Sequence, residues 1–163
     1  GIGNAKAIGN YSASLLPLDR AKESGFDDVI FLNASNENMI DEISSANLFV
    51  LKGNILKTPH LGGSILPGVT RDSVIKIADK IMNLKVQETD VTIEELLDAD
   101  EIFCTGTAVV VTSVGNVSFQ GEDHMIGIAG ERSKAEQLKK ILLGIQQEEI
   151  EDPFGWVTPV SAP

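Results

Sequence analysis

An α/β or α+β fold is predicted by three observations. Apolar runs of strand length alternate with segments whose apolar residues recur at helical spacing. Two helix-start signatures, Thr92-Ile-Glu-Glu95 and Ser133-Lys-Ala-Glu136, punctuate the second half of the chain. A Gly53-Asn54 pair lies between two apolar runs, where a tight hairpin turn is expected. With 163 residues the chain is long enough for one domain with a real core.

The elements follow in order. A glycine-rich opening (Gly1, Gly3 and Gly9 around Lys6) leads into a helix over about residues 12–24. Pro17 argues for a late start or a kink in that helix, and Gly25 stops it. Residues 28–33 read as a buried strand and residues 33–38 as a polar turn. Strands are expected at 40–43 and 46–52, and at 55–57 after the Gly53-Asn54 turn. Residues 58–63 form a loop, and Ile65-Leu-Pro-Gly-Val-Thr70 opens a helix running to about Met82 with Val74, Ile77, Ala78 and Ile81 on its apolar face. A strand over 85–91 precedes a short helix from Thr92 to near Ala99. Residues 101–111 are β-rich and interrupted by Thr105-Gly106-Thr107, and residues 116–128 read as strand and turn. Leu138, Ile141, Leu142 and Ile145 give the last helix its stripe, and the tail (151–163) should run along the surface, broken by Pro153, Gly155 and Pro159.

Composition narrows the function. A hydrophobic content of 42% with 23% charged residues is that of a globular domain. A net charge of −11 argues against a general nucleic-acid or anionic-membrane surface. It leaves room for a local anion site, because backbone N–H groups bind phosphate without any Lys or Arg. The single cysteine, Cys104, cannot form an internal disulfide and suits a reducing intracellular compartment. No apolar run approaches the ~20 residues that cross a bilayer. The start, Gly1-Ile2-Gly3-Asn4, has no initiator Met and is not a targeting peptide, so the chain is expected to begin inside a longer protein.

Several residues could carry chemistry. Lys6 lies among small neighbours that would let a planar ligand approach; it is either an amine activated by its surroundings or a solvated loop lysine. Tyr11, the only tyrosine, could donate its phenol to a ring oxygen or serve in packing. Glu42 could face a pyridine nitrogen and keep it protonated, or face water from an edge strand. In Leu66-Pro-Gly-Val-Thr70, a glycine and then a hydroxyl residue at a helix mouth leave first-turn N–H groups converging on one spot. That start is a phosphate seat or an ordinary terminus helped by Thr70. Thr105-Gly-Thr-Ala108 is either a bulge offering N–H groups to an anion or a plain hairpin. Cys104 reads as a buried small hydrophobe, and Trp156 as packing. His60 and His124 have no Cys or His at ligand spacing, so no metal is assigned.

The order and spacing of these motifs resemble the class IV aminotransferases throughout. Lys6 is followed by Asn10-Tyr11, by Glu42-Ile-Ser-Ser-Ala-Asn-Leu-Phe49, by Ile65-Leu-Pro-Gly-Val-Thr-Arg71 and by Gly106-Thr-Ala-Val109. D-amino-acid aminotransferases and aminodeoxychorismate lyases share several of these runs. The Lys-x-x-x-Asn-Tyr spacing, residues 100–111 and the ending Gly144-Ile-Gln with Asp152-Pro-Phe-Gly-Trp156 are most similar to branched-chain amino-acid aminotransferases, in particular plant members.

The resemblance implies a C-terminal pyridoxal 5′-phosphate-binding domain spanning residues 1–163, a mixed β-sheet or pseudo-barrel flanked by helices. Lys6 would hold the cofactor through a Schiff base and shuttle the substrate proton. Tyr11 would bond the cofactor's phenolic oxygen, Glu42 its ring nitrogen, and Leu66 would pack on the ring. Gly68, Val69 and Thr70 would seat the phosphate, with a hydroxyl from Thr107. Ser45, Thr107 and Ala108 would bind the substrate carboxylate. The implied reaction exchanges the amino group of leucine, isoleucine or valine with 2-oxoglutarate. The alternatives are another class IV reaction or a non-catalytic truncated paralogue. The implied partners are amino acids, 2-oxo acids, the family's N-terminal domain (absent here, with its phosphate-binding arginine) and a second copy in a homodimer, with no nucleic acid or membrane. A plastid is the first expectation for location, ahead of mitochondrion or cytosol. Val109 and Thr112 stand where some mammalian relatives carry a redox Cys-x-x-Cys, so thiol regulation of that type is not expected.

Overall fold

The computed structural model describes residues 2–127, 130, 132–158 and 160. Gly1, Ile128, Pro159 and the end of the tail, which belong to the expectations above, lie outside the described residues. The thirteen elements among them are α1 (Ile8–Glu23), β1 (Ile30–Asn33), β2 (Asn36–Ile43), β3 (Asn47–Lys52), β4 (Ile55–Thr58), α2 (Val69–Lys80), β5 (Lys85–Glu88), α3 (Ile93–Leu97), β6 (Glu101–Gly106), β7 (Val110–Val114), β8 (Asn116–Phe119), β9 (Glu122–Met125) and α4 (Lys134–Gln146).

A five-stranded sheet in the order β5-β4-β3-β6-β7 forms the centre. It is mixed: β4 and β5 run parallel, and the other neighbours are antiparallel. The parallel pair needs a crossover, and α2 supplies it. Strand β3 is buried on both faces, so its run Asn-Leu-Phe-Val-Leu is nearly all apolar. Alternation then sends Phe49 and Leu51 to one side and Leu48 and Val50 to the other. On the first side α2 and α4 cover the sheet through Val74, Ile77, Leu138 and Ile145, and Phe49 stacks on Phe103 at 5.0 Å between ring centroids. On the second side Ile40, Ile43, Val91 and Leu96 close a smaller core with Ile102 and Cys104.

Local chemistry explains most boundaries. Gly53, at φ 57°, takes the first position of the β3–β4 turn, where a left-handed residue matches the twist of the flanking strands. Thr92 and Glu95 form a reciprocal capping box at α3. The second signature is only half realised: Ser133 accepts from the Glu136 N–H, its own N–H goes to the Gly130 carbonyl, and the Glu101 carboxylate accepts from the next two N–H groups, Lys134 and Ala135. The tail folds back: Asp152 accepts from Phe154 and Val157, and Phe154 stacks on Trp156 against the larger core.

Three expectations are corrected, and one open alternative is decided. Helix α1 starts at Ile8, not near residue 12, and carries Pro17 inside it. The Asn10 side chain sets that start by donating to the carbonyls of Ile2 and Ala5, both at 2.9 Å. Strand β1 is half-buried rather than buried, because it pairs only with β2 in a two-stranded ribbon. The polar segment after it is mostly strand, with the turn confined to Ala34-Ser35 under the Asn33 side chain. Residues 101–111 are two strands whose register is unbroken from Ile102↔Val114 to Gly106↔Val110, so Thr105–Ala108 ends in a hairpin and not in a bulge.

Candidate active site

The two helices α1 and α2, which border one cleft, begin without side-chain caps, whereas α3 and α4 are capped by Thr92 and Ser133. For α2 this follows from the sequence: Gly68 stands at the N-cap and has no side-chain acceptor. Asp72 closes the first helical turn by donating its N–H to the Gly68 carbonyl. The N–H groups of Val69, Thr70 and Arg71 precede that bond, and no side chain caps them. The helix dipole adds partial positive charge at the same point.

The cleft holds about 470 Å³ and lies where β3 begins and β6 ends. Three segments converge on it. The first is residues 3–14, where Lys6 and Tyr11 sit on either side of the α1 start. Asn4 donates to the Gly63 carbonyl at 3.1 Å, which ties this segment to the loop before α2. A Cβ on Gly3 would overlap the Ser64 backbone, so only glycine permits that approach. The second segment is the end of β2 with the Ser44-Ser45 turn. The third is Leu66-Pro-Gly-Val-Thr70, with Thr105–Thr107 closing the floor and rim.

Lys6, Tyr11, Glu42, Ser45, Leu66, Gly68, Val69, Thr70 and Thr107 all line this one cleft. Ala108 is in the adjoining hairpin turn, exposed, and not part of the lining. Lys6, Ser45 and Thr107 are exposed; Tyr11, Glu42, Leu66 and Thr70 are half-buried. Glu42 has the most perturbed chemistry. Burial lifts its carboxyl to about 7; a backbone hydrogen bond from Leu66 pulls the other way, and the neighbouring Asp41 adds a smaller upward push. A carboxyl poised there can hold or share a proton near neutrality. Cys104, on the other face of the floor strand, is pushed up to about 11, first by burial and then by Asp28. Among the described residues no group of three or more His, Cys, Asp or Glu is placed to hold a metal ion.

Two residues with structural importance here, Asn47 and Arg71, are not singled out by the sequence, and Thr105 enters there only as part of the Thr105–Ala108 run. Asn47, 5% exposed, donates to Glu42 Oε2 at 3.3 Å and to the Leu66 carbonyl at 2.8 Å. Thr105, opposite Asn47 across the β3–β6 pair, is fully buried with an unpartnered hydroxyl on the cleft floor. Arg71, 3% exposed, anchors the first turn of α2 by an ion pair to Glu88 at 2.8 Å and a bond to the Pro59 carbonyl at 3.0 Å. Asn47 and Arg71 stand inside the quoted motifs, and their polarity within apolar runs was the available signal.

Comparison with known proteins decides the family. The family model described as "Amino-transferase class IV" matches residues 3–117. The chain belongs to the class IV aminotransferases. Class IV relatives include the branched-chain amino acid aminotransferase 2, chloroplastic, of Humulus lupulus, 43% identical over 99% of this chain and 39% of its own length. The branched-chain-amino-acid aminotransferase 1, mitochondrial, of Arabidopsis thaliana is 44% identical over 99% of this chain and 41% of its own. Among solved structures, the class IV branched-chain amino acid aminotransferase of Thermobaculum terrenum in its PLP-form (holo-form) superimposes with a TM-score of 0.79. It is 30% identical, and the match covers 89% of this chain and 45% of that one. This class IV chain thus spans about two fifths of its curated relatives and less than half of that structure. The mixed sheet flanked by helices is the class IV architecture.

Proposed function

We propose that this chain is the cofactor-carrying C-terminal domain of a branched-chain amino-acid aminotransferase. In this reading it binds pyridoxal 5′-phosphate and helps transfer the amino group of leucine, isoleucine or valine to 2-oxoglutarate. The supporting observation is the convergence of a lysine, a phenol, a half-buried carboxyl and uncapped helix N–H groups on one cleft. The donor set fits the group chemically. A phosphate finds bare N–H groups at Val69 and Thr70, where a Gly68 N-cap leaves room for its oxygens. A pyridine nitrogen finds the half-buried Glu42 carboxyl, whose oxygens can accept from its N–H.

When bound, pyridoxal phosphate supplies an electron sink for the charge left at a substrate Cα. Lys6 Nζ would take the proton from that Cα and deliver it to the cofactor's C4′, and in the second half of the cycle it would carry a proton the opposite way. Glu42 holds the proton on the ring nitrogen, Tyr11 donates to the ring oxygen, and Leu66 supports the ring face. Thr107 adds a hydroxyl to the phosphate, and Ser45, Thr107 and Ala108 orient the substrate carboxylate from the exposed turns beside the cleft. The relatives are named chloroplastic and mitochondrial enzymes, which supports an organelle, a plastid first, as the location.

Phe31, Leu32, Ile43 and Leu66 give the cleft some apolar lining, and in this reading the rest of the wall that selects a branched side chain comes from the family's N-terminal domain. So does an arginine to the phosphate, and a charged hydrogen bond of that kind is worth roughly 1.5–3 kcal/mol. The 163-residue chain alone should bind cofactor weakly and turn over negligibly. Titration with pyridoxal phosphate, borohydride reduction and peptide mapping tests the reading: the phosphopyridoxyl group should be fixed on Lys6. A label on another lysine, or turnover of leucine with 2-oxoglutarate by the chain alone at the rate of the two-domain enzyme, would overturn it.

A further inference from the structure

We infer that Asn47 is a positioning residue that sets the distance between the two ends of the cofactor seat, an inference that rests on the reading above. Its amide has two N–H bonds and uses them on two acceptors: Glu42 Oε2 at 3.3 Å, at the ring-nitrogen end, and the Leu66 carbonyl at 2.8 Å, in the turn that opens the phosphate end. The Leu66 backbone also holds down the Glu42 carboxyl's proton affinity, so carboxylate, amide and turn act on one another. Asn47 is itself fixed. It is 5% exposed, begins β3, and pairs with Thr105 in the register of the central sheet. The strut therefore ties both ends of the seat to the central sheet.

Residue chemistry explains why asparagine stands here. Aspartate would have the same shape and no donor, and would set a second carboxylate against Glu42. Serine would be too short to reach both acceptors. Gly68 fits the same account from the other side: a Cβ there would overlap Asn47 Oδ1. The glycine thus opens the phosphate seat and also leaves space for the strut.

A ligand that engages both ends gains from having them pre-spaced, because the second contact is made at high effective concentration. A ligand that engages one end gains nothing. Asn47→Ser in the purified chain should therefore weaken pyridoxal 5′-phosphate tenfold or more, while pyridoxal and inorganic phosphate, each measured alone, change less than about threefold. In the cofactor-free protein the Leu66 amide should exchange hydrogen at least about tenfold faster, with Phe103, in the core of β6, unchanged. Gly68→Ala should reproduce the faster Leu66 exchange, because its Cβ would displace the Asn47 side chain. Combined with Asn47→Ser it should add little, because the two substitutions break one contact. An equal loss for all three probes, faster exchange at Phe103 in step with Leu66, or additive effects of the two substitutions would overturn the inference. If the parent chain binds no pyridoxal phosphate at all, the cofactor reading fails, and the Leu66 exchange still decides whether Asn47 is a strut.

Discussion

The rim of the cleft and the packed side of the sheet follow different rules. On the packed side, α4 is capped by Ser133 and by the Glu101 carboxylate, and its Leu138 and Ile145 are essentially inaccessible. At the rim, α1 buries no residue along its 16 positions, and neither α1 nor α2 has a side-chain cap. Glu42 is held half-buried at a cost to its charged form, and the Thr105 hydroxyl has no partner. A chain optimised only to fold would remove such features. Their concentration around one cleft is what a ligand seat requires, since groups left unsatisfied by the protein are those that can bind something else.

The largest expected effect breaks the comparison on the rim side. Lys6→Ala in the two-domain enzyme should lower steady-state transamination by at least the roughly 10²–10⁴-fold that a positioned acid–base group contributes. Its melting temperature should not change, because Lys6 is exposed. Turnover near the parent rate without added amine would remove Lys6 from the mechanism.

The opposite pattern is expected on the packed side. Phe103 is fully buried and stacked on Phe49 with 7° between the ring planes. Phe103→Ala should cost about 3–5 kcal/mol of stability by denaturant unfolding. At temperatures where the variant remains folded, its preference among amino-acid substrates should not change.

What could be read from sequence divides along the same line. Features written within a few residues were legible: the Gly53-Asn54 turn, the Thr92–Glu95 box, the Gly68-Val-Thr70 helix opening and the lysine–tyrosine spacing. What was missed joins distant positions. Asn47 bonds a carbonyl 19 residues away, and Glu101 caps a helix 33 residues on. Arg71 meets Glu88 across the crossover. Local periodicity carries no information on such pairs. The earlier start of α1 has a related cause: Pro17 argues for a late start or a kink, but a proline removes one backbone donor and does not delay a helix whose first turn is fixed by the Asn10 contacts.

Glu42→Gln sharpens the comparison through pH. Burial lifts the Glu42 carboxyl from 4.5 to about 7, so the folded protein binds this proton more tightly than the unfolded chain. Below about pH 4.5 both states are protonated and the group costs nothing. As pH rises from 4.5 to 7 the folded state loses stability relative to the unfolded one, and above 7 the loss is complete and constant. Cofactor-free Glu42→Gln should therefore gain stability over the parent at about pH 8, and the gain should shrink at about pH 5, by urea unfolding at both. In the two-domain enzyme the same variant should lose more rate than cofactor affinity. Equal losses, or a stability difference that does not depend on pH, would make Glu42 an ordinary structural carboxylate.

The smallest effect comes from a helix start where every local rule is obeyed. The Thr92 hydroxyl accepts from the Glu95 N–H at 3.1 Å, and the Glu95 carboxylate accepts from the Thr92 N–H at 3.1 Å. Glu95 is also paired with Lys57, and that hydrogen bond, followed by the one from Thr92, lowers its carboxyl below the ordinary range. Thr92→Ala removes one acceptor and leaves the Glu95 contacts in place, so the loss should be about 1 kcal/mol. Thr92 lies outside the cleft lining, so cofactor affinity, measured in the same samples, should not change. The corresponding gain is not available at α2, because a side chain at Gly68 would meet Asn47 before it could reach the first-turn N–H groups. Should Thr92→Ala weaken pyridoxal phosphate binding as much as it weakens folding, the capped and uncapped helix starts would belong to one cooperative unit, and the separation of rim from packed side would fail.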